Sequence, residues 1–170
     1  HRQVLFKESD LGKWKVDAAK QVLTKQNSEV EITCYNELLS TENALKIFTD
    51  YDLIIVGTDN FPSKYLINDA CLLSNKPWVY ASIYKFEGQL SVFNFQKGPS
   101  YRCLFPTLSA KNLSCEETGV LGALPGVLGT LQAAEALKLI LGIGDLLSGK
   151  LKMINLLSMD EQTIRFVKKE

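Results

Sequence analysis

The apolar run Leu53-Ile54-Ile55-Val56, closed by Gly57-Thr58-Asp59-Asn60-Phe61, constrains the fold more than any other stretch of the chain. Four consecutive apolar residues ending at a glycine read as a buried strand. The flanks are helical. Thr41 to Phe48 puts Ala44, Leu45 and Phe48 on one face, and Ser63 to Ser74 turns Leu66, Ala70 and Leu73 inward. Trp78 to Ile83 follows as a strand. Upstream, Gly12 to Gln26 carries Trp14, Ala18, Ala19, Val22 and Leu23 at helical spacing, with Asp10 placed to cap it. Val30-Glu31-Ile32-Thr33-Cys34 alternates as a strand. Helix and strand in alternation imply parallel crossovers.

The second half changes style. Leu90 to Phe95 alternates and turns at Lys97-Gly98-Pro99, so Tyr101 to Phe105 is expected to return as a hairpin. A loop runs from Pro106 to about Thr118. Gly119 to Leu141 reads as a long apolar helix ended by Gly142, with Gly126 and Gly129 as close-packing positions. Gly57 is read the same way. Leu151 to Leu156 and Thr163 to Val167 read as an antiparallel pair.

Composition excludes several classes. The 170 residues are 46% hydrophobic, which suits a packed domain rather than a disordered chain. Nineteen basic residues balance nineteen acidic ones, so nothing calls for nucleic acid or an anionic membrane as partner. No apolar run reads as long enough to span a bilayer, and no signal peptide is visible. The four cysteines (Cys34, Cys71, Cys103, Cys115) include no C-x-x-C pair, which fits a reducing cytoplasm better than a disulfide scaffold. Cys34 and Cys71 fall in apolar elements and read as core.

Asp59 is delivered to the carboxyl end of a buried strand, where open α/β sheets bind their ligands. A carboxylate there suits a divalent cation, or a phosphate bound through one. Arg2 and Lys15 offer matching positive charge, and the set implies nucleotide chemistry. Each residue also has a plain reading. Asp59 can cap the following helix, and Arg2 and Lys15 can be solvated charges. The Gly-rich turn that usually opens a nucleotide fold is not found before Gly12, so the chain reads as beginning after it.

The strings His1-Arg2-Gln3, Asp10-Leu11-Gly12-Lys13-Trp14-Lys15, Gly57-Thr58-Asp59-Asn60-Phe61, Tyr65-Leu66-Ile67-Asn68-Asp69-Ala70-Cys71 and Glu87-Gly88-Gln89 match one family in order. So do Gly98 to Pro106, Gly119-Val120-Leu121-Gly122, Pro125-Gly126 and Gln132-Ala133-Ala134-Glu135. The sequence resembles the adenylating enzymes of the ThiF/MoeB/HesA group, relatives of ubiquitin-activating enzymes. The resemblance implies one Rossmann-like α/β domain over residues 1–170, truncated at its N-terminus. Its sheet is expected to be mostly parallel, with helices on both faces and an antiparallel extension in the C-terminal half.

The resemblance implies ATP and Mg²⁺ as cofactors and a ubiquitin-like sulfur carrier with a C-terminal Gly-Gly as substrate, in thiamine or molybdopterin synthesis. A homodimer is implied too. Arg2 and Gln3 match the phosphate-contacting pair of the family's N-L-x-R-Q string. Lys15 matches its phosphate lysine, and Asp59 its Mg²⁺ acid, with Asn60 beside it. Cys115 matches the crossover-loop cysteine that attacks the adenylate or joins sulfur transfer. The family's zinc pairs are not kept: Ser100 stands in a cysteine position beside Cys103, and Asn155 to Glu170 holds no cysteine, which speaks against zinc. Without the upstream loop, this chain alone is expected to bind ATP poorly or not at all. The alternative reading is a non-catalytic dimerisation and carrier-docking fragment.

Overall fold

The computed structural model describes residues 2–107 and 119–169. They fall into two compact units, His1–Leu38 and Leu39–Glu170.

The first unit holds a 3₁₀ turn at Glu8–Asp10 and helix α1 (Lys15–Gln26). Asp10 does not cap α1, whose N-cap is Trp14 and has no side-chain cap bond. Instead the Asp10 carboxylate accepts the backbone N–H of Lys7 at 3.0 Å and Lys13 Nζ at 2.9 Å, closing the turn before the helix. Val30 to Cys34 is not a strand. Residues 31–36 carry no regular structure and form no ladder among the described residues. Alternation prepares a strand, but rungs to a neighbour make one. The Cys34 thiol donates to Val16 O at 3.3 Å.

The second unit runs α2 (Ala44–Thr49), β1 (Ile54–Ile55), α3 (Phe61–Leu73), β2 (Trp78–Tyr84), β3 (Glu87–Phe93), α4 (Tyr101–Leu104), α5 (Ala123–Leu141), β4 (Lys150–Asn155) and β5 (Asp160–Arg165). The class is α/β, as expected. The five strands lie in chain order in one mixed sheet. Its parallel part among the described residues is β1 with β2, and the remaining ladders form the antiparallel extension.

Side chains of β2 alternate between two cores. Trp78 and Tyr80 join Phe93, Tyr101, Phe48, Val56 and residues of α3 on one face. Val79 and Ala81 join Leu90, Val92, Leu124, Leu128 and Ala136 on the other. With helices on both faces, the strand is dry on both sides, and its apolar content follows. Ring centroids within the first core lie 5.0 Å apart for Trp78–Phe93 and 4.7 Å for Tyr101–Phe105. Such pairs contribute about 0.5–1.5 kcal/mol each beyond their buried area.

The expected hairpin between Leu90–Phe95 and Tyr101–Phe105 is not formed. β3 pairs with β2 instead, from Tyr84↔Glu87 to Trp78↔Phe93, through the connection Lys85-Phe86. Tyr101–Leu104 is one helical turn. Asn94 decides this. It sits at φ +56°, and its side-chain amide donates to Cys71 O and Lys76 O, both at 2.9 Å, so the chain folds onto the end of α3. Asn68 then fixes α4: its Oδ1 accepts the Tyr101 N–H at 2.9 Å from a fully buried site. Beside it Arg102 grips Asp69 through two bonds of 2.8 and 2.6 Å, with its guanidinium 4.8 Å from the Tyr65 ring centroid.

Helix α5 corrects two sequence expectations. By length and composition it is apolar enough to cross a membrane, although no run was read as long enough. Its inner face explains the composition: Leu124, Leu128, Gln132 and Ala136 are buried, at the spacing of a helix laid on a sheet. A Cβ at Gly126 or Gly129 would meet open space, so close packing does not explain those glycines. The close approach lies opposite. A Cβ at Gly88 would fall inside the Leu128 side chain and 3.2 Å from Leu124 Cδ1.

Gly88→Ala is therefore expected to destabilise the fold by about 1–3 kcal/mol through overpacking, read as a lower denaturant midpoint at unchanged slope. The pair Asp69–Arg102 predicts a pH dependence. The Arg102 hydrogen bonds hold the Asp69 carboxyl below its ordinary value, outweighing partial burial. The stability this contributes is complete above the unfolded pKa of about 4 and is lost as pH falls through the lower folded value. The melting-temperature gap between the native chain and Asp69→Asn should be full at neutral pH and close as the solution is acidified. A gap independent of pH would refute the assignment.

Candidate active site

The site is built at the carboxyl end of β1. Ile54 N–H donates to Pro77 O at 3.2 Å and Val56 N–H to Val79 O at 3.1 Å, which sets the parallel register. Val56 is the last buried residue, at 1% exposure. The chain leaves the sheet at Gly57, which is exposed. A Cβ there would meet nothing within 4 Å, so close packing is not its role.

The next residues divide two tasks that the sequence left together. Asn60 is the N-cap of α3: it is extended (φ −115°, ψ 148°), and its Oδ1 accepts the Ser63 N–H at 2.9 Å. Pro62 in the first turn suits a helix start. The cap thus falls to Asn60, not to Asp59. Asp59 is exposed, and among the described residues its carboxylate has no hydrogen bond or ion pair. Its neighbour Thr58 holds a buried hydroxyl with no partner among the described residues.

A single exposed carboxylate fits Mg²⁺ better than a metal held by protein alone, since Mg²⁺ keeps waters and shares its shell between one or two carboxylates and substrate phosphate. Among the described residues no group of three or more His, Cys, Asp and Glu could hold a metal ion. Ser100 Oγ lies 3.5 Å from Cys103 Sγ. Burial pushes the Cys103 thiol up, but the N–H of Lys169 and the Ser100 contacts bring it below its ordinary value. Burial pushes the Cys71 thiol up to about 12, which suits an inert core position.

Arg2 is half-buried, and Gln3 and Lys15 are exposed, Lys15 as the first residue of α1. These three belong to the first unit, and Asp59 and Asn60 to the second. Cys115 lies outside the described residues.

Sequence reasoning missed Lys64. It is 3% exposed on the first turn of α3, with Nζ donating to Ser82 Oγ at 2.8 Å and lying 5.5 Å from the Phe61 ring centroid and 5.6 Å from that of Tyr80. Its spacing from Ile67, Asn68 and Cys71 put it on the buried face of α3, and that was the available signal. A cavity of about 450 Å³ lies elsewhere, on the antiparallel ladders among Glu87, Gln89, Met153, Asn155 and Glu161, and none of the anticipated residues lines it.

The sequence profile of the ThiF family matches residues 1–170. The chain is 45% identical over 174 residues to a sulfur carrier protein adenylyltransferase of Thermus thermophilus, covering 97% of this chain and 64% of that protein. It is 45% identical over 157 residues to an adenylyltransferase and sulfurtransferase MOCS3 of Culex quinquefasciatus, covering 91% of this chain and 36% of that protein. The chain thus spans about one third to two thirds of the length of these relatives. In fold it is similar to E. coli MccB crystallised with MccA-N7isoASN: the TM-score is 0.85 at 22% identity, over 99% of this chain and 53% of that one. A profile matched end to end, and relatives at this identity, place the chain: it belongs to the ThiF family.

Proposed function

We propose that the protein carrying this chain is an ATP-dependent adenylyltransferase that activates the C-terminal glycine carboxylate of a ubiquitin-like sulfur carrier. The observation that carries the reading is Asp59, at the carboxyl end of a parallel strand and relieved of capping by Asn60. The names of the relatives, a sulfur carrier protein adenylyltransferase and an adenylyltransferase and sulfurtransferase, support it. They favour this reading over a docking fragment without catalysis. The carrier serves thiamine or molybdopterin synthesis. The free cysteines Cys34, Cys71 and Cys103 support a reducing, cytoplasmic setting. Exposed Leu137, Ile140 and Leu141 on α5 support a homodimer.

In this reading a carrier carboxylate oxygen attacks the α-phosphorus of ATP. A new P–O bond forms, the bond to the bridging oxygen of the β-phosphate breaks, and pyrophosphate leaves with that electron pair. Negative charge grows on the phosphate oxygens. The family resemblance assigns Arg2 two such oxygens through its planar fork, Gln3 a neutral donor and Lys15 a point charge. Asn60 donates from the amide nitrogen that its cap bond leaves available. Asp59 would hold Mg²⁺, which when bound would supply further charge neutralisation. Groups fixed before the reaction stabilise this charge without reorganising. Cys115 has one of two roles carried over from the resemblance: its thiolate attacks the acyl-adenylate, forming a thioester as AMP leaves, or it joins the later sulfur transfer.

In the full-length protein, Asp59→Ala is expected to lower carrier-dependent ATP–pyrophosphate exchange by at least about 10²-fold, the scale on which single charge-stabilising groups act in other enzymes. Exchange at the native rate would overturn the reading.

A further inference from the structure

Gln132 is one of two buried polar residues on α5, the other being Glu135, which is engaged by Lys138 and the Leu147 N–H. Gln132 is 8% exposed and lies one turn from Leu128 on one side and from Ala136 on the other. Its Nε2 donates to Val56 O at 2.8 Å and to Val79 O at 3.2 Å. Val79 O also accepts the Val56 N–H. One amide group therefore closes the last rung of the parallel ladder from the helix above it. A leucine would fill the same place without desolvating an amide, so apolar packing does not account for the choice.

The consequence lies just beyond Val56. Gly57, Thr58 and Asp59 make no backbone hydrogen bond among the described residues. They hang between two fixed points, the Gln132 clamp at Val56 O and the Asn60 cap at Ser63 N–H. Where Asp59 can reach is set by how firmly those points hold. Catalytic groups tolerate little slack, since a misplacement of about 1 Å can cost about 10² in rate.

We propose that Gln132 is a positioning residue, acting through the end of β1 to place the Asp59 carboxylate; this rests on the role given to Asp59 above. The plain alternative is that Gln132 only satisfies a buried carbonyl and adds stability.

The test uses the full-length protein with Gln132→Met, which keeps length and volume but removes both donors. Should that variant not fold, Gln132→Leu fills the same place and carries no donor. Leu128→Ala, one turn away on the same face, serves as the purely structural control. Two quantities are read: amide hydrogen exchange at Val56, and the Mg²⁺ concentration giving half-maximal pyrophosphate exchange. The Gln132 variant should raise Val56 exchange about tenfold, the scale of a lost buried hydrogen bond. It should also raise the Mg²⁺ requirement several-fold, while Leu128→Ala does neither at a similar loss of melting temperature. An unchanged Mg²⁺ requirement, or the same shift in the Leu128 control, overturns the positioning role. Unchanged Val56 exchange overturns the clamp. Asp59→Ala keeping native activity would instead defeat the reading of Asp59, and Val56 exchange would still judge the clamp on its own.

Discussion

Strand β2 is the constraint on which the second unit depends. It is the strand paired in parallel with β1 on one side and antiparallel with β3 on the other. Its alternate residues feed separate cores, Trp78 and Tyr80 on one face and Val79 and Ala81 on the other. A slip of one residue would exchange these faces and put two large aromatics against α5, where Gly88 leaves no space even for a methyl group. The register is therefore fixed from both sides. The end of β1 is in turn fixed by β2, so the location of Asp59 follows from packing that Asp59 takes no part in.

Polar groups placed inside apolar surroundings do the local steering. Asn68 holds the first N–H of α4, Asn94 holds the chain against the end of α3, and Gln132 holds the last rung of the parallel ladder. Glu135 accepts the Leu147 N–H at 3.0 Å and pairs with Lys138, tying the segment after α5 back to the helix. Each is at most 8% exposed, and each answers a backbone group that burial would otherwise leave costly. The family-matching strings thus carry much architecture along with chemistry. Asn68 and Asp69 are bound to Tyr101 and Arg102, and Gly88 makes room for the approach of α5.

The strand end shows how little separates a capping side chain from one left to solvent. Asp and Asn both cap helices, and Asp59-Asn60 offers both side by side. The cap goes to Asn60, whose extended backbone brings its side chain to the Ser63 N–H. Asp59 is left to solvent, one residue from the unpartnered hydroxyl of Thr58.

The sequence by itself determined the α/β class, a strand before Gly57 (though only Val56 of its run is buried and Ile55 is exposed), helices α1, α2, α3 and α5, and the pairing of the last two strands. These depend on periodicity and on chain neighbours, which a sequence displays. It also marked Asp59 as an acid at a strand end. Only the tertiary structure decided what depends on a distant partner. Val30 to Cys34 has the alternation of a strand but gains no rungs among the described residues. Leu90 to Phe93 turned to β2 because Asn94 finds its acceptors at Cys71 on α3 and at Lys76 just beyond it, about twenty residues back along the chain. Lys64 and Gln132 look like ordinary polar residues until two helices lay them against the sheet. Burial and hydrogen-bond partnership are properties of contacts between segments, and no local pattern specifies which segment will supply the other half.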